Sequence, residues 1–133
     1  MVVDVTAFEM NGSNLQTVVP ARLLDTRPGY TTIDGQQQGA GALAAGQVIE
    51  LPVLGRGGVH TNASAVLLNL AVDHPAAAGF ITAYPCGTPR PLAANLNYEA
   101  DQTIPNSVLV KVGTGGKVCL YSMSTTHLSL IHI

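Results

Sequence analysis

Ala63-Ser64-Ala65-Val66-Leu67-Leu68-Asn69-Leu70-Ala71-Val72 is the most apolar stretch of the chain. Val66, Leu68 and Leu70 recur every second residue and share one face, which is the period of a strand. The neighbouring positions are nearly as apolar, so the segment predicts a central strand buried in a core. Asp73-His74-Pro75 ends it, because Asp favours turns and proline has no N–H to give to a strand ladder.

The same period governs both flanks. Residues 2–8, 21–27, 48–54, 79–84, 94–98, 106–112 and 117–122 each read as a short strand, and 127–133 as a final alternating run. Pro28-Gly29, Arg56-Gly57-Gly58-Val59 and residues 85–91 separate them with turn chemistry. Residues 34–46, rich in Gly, Gln and Ala, predict a surface loop, and Pro52 predicts an edge position for its strand. Gly113-Thr114-Gly115-Gly116 predicts the turn of a β-hairpin between residues 106–112 and 117–122. The sum is an all-β domain of about eight or nine short strands. A jelly-roll-like or Greek-key β-sandwich is the expected architecture, with a closed barrel as the alternative.

Composition agrees. The chain has 133 residues, 47% of them apolar, and only 11% charged, against about 25% in an ordinary domain. Fourteen Gly, eight Pro and no Trp suit sheets joined by tight turns. The net charge is −2, and the six cations (Arg22, Arg27, Arg56, Arg90, Lys111 and Lys117) are dispersed. A nucleic-acid partner, or an anionic membrane surface, needs clustered cations, so neither is expected. No apolar run reaches the length of a membrane span, so membrane insertion is not expected. The first residues carry Asp4 and lack a basic signal-peptide start, so these residues are not expected to direct export.

Cys86 and Cys119 each lie at the edge of a strand-like run. An even count in a turn-rich β chain fits one disulfide and an oxidising, extracellular compartment; the alternative is two free buried thiols. Two cysteines without metal-ligand spacing do not make a zinc site, and no cofactor is expected.

Pro20-Ala21-Arg22-Leu23-Leu24-Asp25-Thr26-Arg27-Pro28-Gly29 resembles the opening of a tandem repeat of secreted and surface proteins from actinobacteria and other soil bacteria. The resemblance continues through residues 65–72, Gly79-Phe80-Ile81-Thr82-Ala83-Tyr84-Pro85-Cys86-Gly87, residues 95–98, Gln102-Thr103-Ile104-Pro105-Asn106 and Gly116-Lys117-Val118-Cys119-Leu120-Tyr121. It covers residues 18–128 and implies a module at the cell surface whose partners are neighbouring repeats of the same chain or a cell-wall or extracellular polysaccharide. It names no ligand. In that pattern the repeat closes on an aliphatic-Val-Asp-Val strand, and Val2-Val3-Asp4-Val5 resembles it. Residues 1–10 are therefore expected to be the closing strand of a preceding repeat, 11–17 a linker and 18–127 the module. Leu128-Ser129-Leu130-Ile131-His132-Ile133 is what CTG TCT CTT ATA CAC ATC encodes, which resembles a transposon-end sequencing adapter, so 128–133 is expected to be a foreign tail. The slot of the closing strand would then be taken by residues 128–133 or by 2–8 folding back.

Two groups are candidates for binding. Asp25 and Arg27, two apart on one strand face, are either a ligand-facing pair or an internal ion pair fixing a turn; the internal reading is the simpler one. Asn95 and Asn97 project to one face and Tyr98 follows, the materials of a sugar site with an aromatic platform, for which Tyr84 and Tyr30 are further candidates. Amides that fix loops are the plainer reading. Catalysis is not expected. His60, His74 and His127 have no Gly-x-Ser-x-Gly elbow to serve; a glycosidase pair could be drawn from Asp73, Glu99 and Asp101, but Glu99 and Asp101 are better read as solvated residues of a polar loop than as that pair or, with Asn97, a calcium cage.

Overall fold

A computed structural model describes residues 1–10 and 15–126. Eight strands follow in order: β1 (Val2–Glu9), β2 (Leu15–Asp25), β3 (Val48–Pro52), β4 (Ala65–Val72), β5 (Gly79–Pro85), β6 (Leu96–Tyr98), β7 (Ile104–Lys111) and β8 (Lys117–Ser122). The only helical element among the described residues is one 3₁₀ turn, Thr114–Gly116. The strands form two antiparallel four-stranded sheets, ordered β2-β1-β4-β7 and β3-β8-β5-β6. Both sheets keep open edges, so the molecule is a β-sandwich and not a closed barrel.

The core follows from the alternation. Val66, Leu68 and Leu70 of β4 point inward with Val3 and Val5 of β1 and Leu23 of β2. They meet Leu51, Ile81, Ala83, Val118 and Leu120 of the opposite sheet. Burying a side chain of this size contributes about 1.5–3 kcal/mol against leaving it in water. On the far face of the first sheet the register aligns Arg22, Asp4, Asn69 and Ser107 across four strands. Arg22 Nε donates to Asp4 Oδ1 at 3.0 Å there.

As expected, β4 lies in the interior of its sheet and β3, with Pro52, at an edge. Residues 2–9 pair on both sides, with β2 and with β4, and so hold an interior slot of the first sheet. Strand β2 begins at Leu15, inside the segment read as linker, and pairs through Thr17 with the far end of β1. The tail at 128–133 lies outside the described residues. The loop at 34–46 is mostly exposed, and its Leu43 plugs into the core.

The expected hairpin at Gly113–Gly116 is corrected. Strand β7 pairs with β4, and β8 pairs with β3 and β5, so the turn carries the chain from one sheet to the other. The reason is a clamp on Cys86. Val112 N–H still donates to Ser64 O, extending the first sheet. Thr114 N–H then donates to Cys86 O at 2.8 Å, and Cys86 N–H donates to Lys117 O at 3.3 Å. Gly113 passes so close to the Cys86 backbone that a Cβ would collide with its nitrogen and oxygen.

Cys86 and Cys119 form the expected disulfide, with Cα atoms 5.0 Å apart. It ties the end of β5 to β8 on the outer face of the second sheet, beside Tyr84.

Candidate functional site

The Asp25–Arg27 pair is wholly internal. Asp25 is 0% and Arg27 1% exposed, and Arg27 is the largest fully buried side chain described. Asp25 follows Ala21 and Leu23 on the inward face of the strand. Strand β2 ends at Asp25, and Arg27 is buried beyond it. Asp25 Oδ1 accepts from Arg27 N at 3.1 Å and Nε at 2.9 Å, while Oδ2 accepts from Arg27 Nη2 at 2.7 Å and Arg22 Nη1 at 3.3 Å. Burial raises the Asp25 carboxyl, but the hydrogen bonds and charge of Arg27, with the charge of Arg22, outweigh it and hold the group below its ordinary range. The Arg27 guanidinium also lies over the Tyr30 ring at 3.8 Å. The pair fixes the turn, and neither side chain reaches the surface.

A second buried arginine, which sequence reasoning passed over as part of a turn, does similar work. Arg56 Nε donates to Asp34 Oδ2 at 2.7 Å, and its Nη atoms reach Asp34 Oδ1 and the carbonyls of Pro52, Leu23 and Gln36. These bonds tie the 30–39 loop to β2 and β3. Hydrogen bonds from Arg56 hold the Asp34 carboxyl down to about 2.

Tyr98 and Asn97 are not brought together. Alternation along β6 puts Leu96 and Tyr98 in the core and Asn97 outside. Tyr98 is 3% exposed; its hydroxyl pairs with Ser122 Oγ at 3.0 Å and accepts from Ser124 N–H at 3.0 Å. It cannot serve as a platform. Asn95 acts as a loop clip: its side-chain oxygen accepts from Ala83 N–H at 2.8 Å, and its backbone oxygen accepts from Asn106 Nδ2 at 2.6 Å. Tyr84 is buried against the disulfide and Tyr30 lies under Arg27.

The aromatic surface lies elsewhere, on the outer face of the second sheet. The register sets Val48 beside Tyr121, Tyr121 beside Thr82, and Phe80 beside Asn97. Phe80 and Tyr121 are tilted neighbours with ring centroids 5.9 Å apart. The Arg90 guanidinium lies over Tyr121 at 3.6 Å from the centroid. Thr82 Oγ1 donates to Ala93 O at 2.7 Å, which holds the 86–95 loop against this face. Between loop and sheet is a hollow of about 200 Å³ lined by Phe80, Arg90, Pro91, Leu92, Ala93 and Ala94, with Leu92 fully exposed. The sequence signal was present, since Phe80 and Tyr121 sit on the outward beat of their strands. Reading β8 as the hairpin partner of β7 separated them.

A larger apolar hollow of about 500 Å³ lies beside Val18, Val19, Pro20, Ile33 and Gly58. The turn after β4 gathers Asp73, His74 and Asp101. His74 Nε2 is 3.5 Å from Asp73 Oδ1, which also accepts from Thr103 Oγ1 at 2.8 Å. His60 is exposed and its Nδ1 accepts from Asn62 N–H. Among the described residues no group of three or more His, Cys, Asp or Glu could hold a metal ion, and no helix is long and apolar enough to cross a membrane. Comparison with protein-family models, with curated proteins and with solved structures finds no match for this chain.

Proposed function

We propose that this chain is a non-catalytic extracellular module that spaces or displays partner domains at a bacterial cell surface. The observation that supports it best is where the charge goes. In a chain with few charges, Asp25, Arg27 and Arg56 are buried and bound to each other, to Asp34 and to loop carbonyls. They hold loops to strands instead of converging on a cleft. A covalent clamp between β5 and β8 adds rigidity of a kind that persists in oxidising surroundings. Such a body holds whatever is attached to it at a set separation. The resemblance to tandem surface repeats supports the same reading.

The test is a fusion with a fluorescent domain on each side. A rigid spacer gives one narrow energy-transfer distribution in oxidising buffer, which broadens when the Cys86–Cys119 bond is reduced. A broad distribution in the oxidised protein would remove the spacer reading. Turnover of ester or glycoside substrates that is lost on replacing His60 or His74 would remove the non-catalytic one.

A further inference from the structure

We propose that the outer face of the second sheet binds an acidic sugar, a pyranose carrying a carboxylate, in the hollow between Phe80 and the 90–94 loop. Arg90 carries the argument. Stacking on Tyr121 uses the flat face of its guanidinium and leaves the in-plane N–H donors pointing away from the ring. Among the described residues no carboxylate pairs with it. Glu50, on neighbouring β3, is itself paired with Lys117 at 3.5 Å. Arg90 is therefore a cation held in one orientation by an aromatic ring, with the fork that matches a carboxylate still open.

The rest of the site fits a sugar ring. Phe80 offers an apolar face of the kind on which the C–H side of a pyranose stacks, and Leu92 walls the hollow. Directly opposite Phe80 in the register stands Asn97, exposed, whose amide has no hydrogen-bond partner among the described residues. An amide supplies both donor and acceptor, as neighbouring hydroxyls require. About 200 Å³ admits one ring, with the remainder of an oligomer running over the open sheet. The loop that carries Arg90 is anchored by the disulfide at Cys86 and by the Thr82–Ala93 bond, so the site is largely formed before the ligand arrives. The assignment stands apart from the spacer reading, which holds with or without a ligand.

Titration calorimetry of the oxidised chain with trigalacturonate tests it, with the methyl-esterified trimer as the same backbone without charge. Saturable binding is expected for the acid. It should weaken about tenfold or more with the ester, and equally with Arg90→Gln, whose exposed position leaves the fold intact. Asn97→Ala should weaken it by a smaller factor. No saturable binding of the acid overturns the proposal. Equal affinity for acid and ester, or undiminished binding by Arg90→Gln, overturns the role of the guanidinium. Equal binding of tripolyphosphate would show a general anion site and overturn the sugar assignment.

Discussion

Replacing Arg27 with Met takes the main partner from a carboxylate that has no access to water. Asp25 is 0% exposed and loses two of its four hydrogen bonds, those from Nε and Nη2. It keeps the Arg27 backbone N–H at 3.1 Å and Arg22 Nη1 at 3.3 Å. Breaking a buried pair by removing one partner costs about 3–5 kcal/mol. The two surviving bonds place this case at the low end, about 3 kcal/mol, or a fall in Tm of about 10 °C for a chain of this length. The penalty should depend on pH. In the parent the Asp25 carboxyl is held below its unfolded value, so its stabilisation is present above about pH 4 and is lost as pH falls through the lower folded value. In the variant, burial is left to dominate and raises the carboxyl above its unfolded value. The penalty is then full at neutral pH and fades as the group protonates in acid. Urea melts at pH 7 and pH 4 measure both, with Asp25→Leu/Arg27→Met as a double variant that should recover much of the loss. A loss below about 1 kcal/mol at pH 7, or the same loss at both pH values, would refute a buried charge pair as the source of order at this turn.

Three further outcomes are expected. Cys86→Ser with Cys119→Ser opens a loop whose ends are 33 apart in sequence and should cost about 4 kcal/mol, read from the guanidinium midpoint; a midpoint equal to that of the oxidised parent would contradict it. Gly113→Ala drives a methyl into the Cys86 backbone and should cost about 2 kcal/mol or more in a thermal melt, whereas Gly115→Ala, with nothing but the Lys117 stem near its Cβ but a positive φ, isolates the backbone effect from the collision. Asp34 is held down to about 2, so its stabilisation is present above about pH 4 and lost as pH falls toward 2; Asp34→Asn should flatten that part of the acid limb in a pH series of melts, and an unchanged acid limb would count against the Arg56 pairing.

The readable part of this protein was local. Alternation in residues 2–8, 65–72, 79–85 and 117–122, with turn residues between them, is a property of neighbours in sequence, because successive side chains of a strand point to opposite faces. That was enough for the all-β class, the interior place of β4, the edge place of β3 and the cysteine pair. Residues far apart in sequence decided the rest. Nothing local in Gly113-Thr114-Gly115-Gly116 distinguishes a hairpin from a crossing between sheets; the Cys86 backbone, more than 25 residues earlier, makes that choice through two hydrogen bonds and a close approach. Alternation placed Asn97 and Tyr98 on opposite faces, but only the packing of the sandwich shows which face is the core. Asp25 and Arg27 share a strand face on paper, but only the packing shows that this face is the interior, which a charged pair with four mutual and neighbouring hydrogen bonds tolerates and a lone charge would not. The Phe80–Tyr121–Arg90 surface is assembled from two strands and a loop that meet only because β8 pairs with β5. Period and turn chemistry select a sandwich from the sequence alone; which strands become neighbours, and hence where a surface with chemistry on it appears, belongs to the tertiary structure.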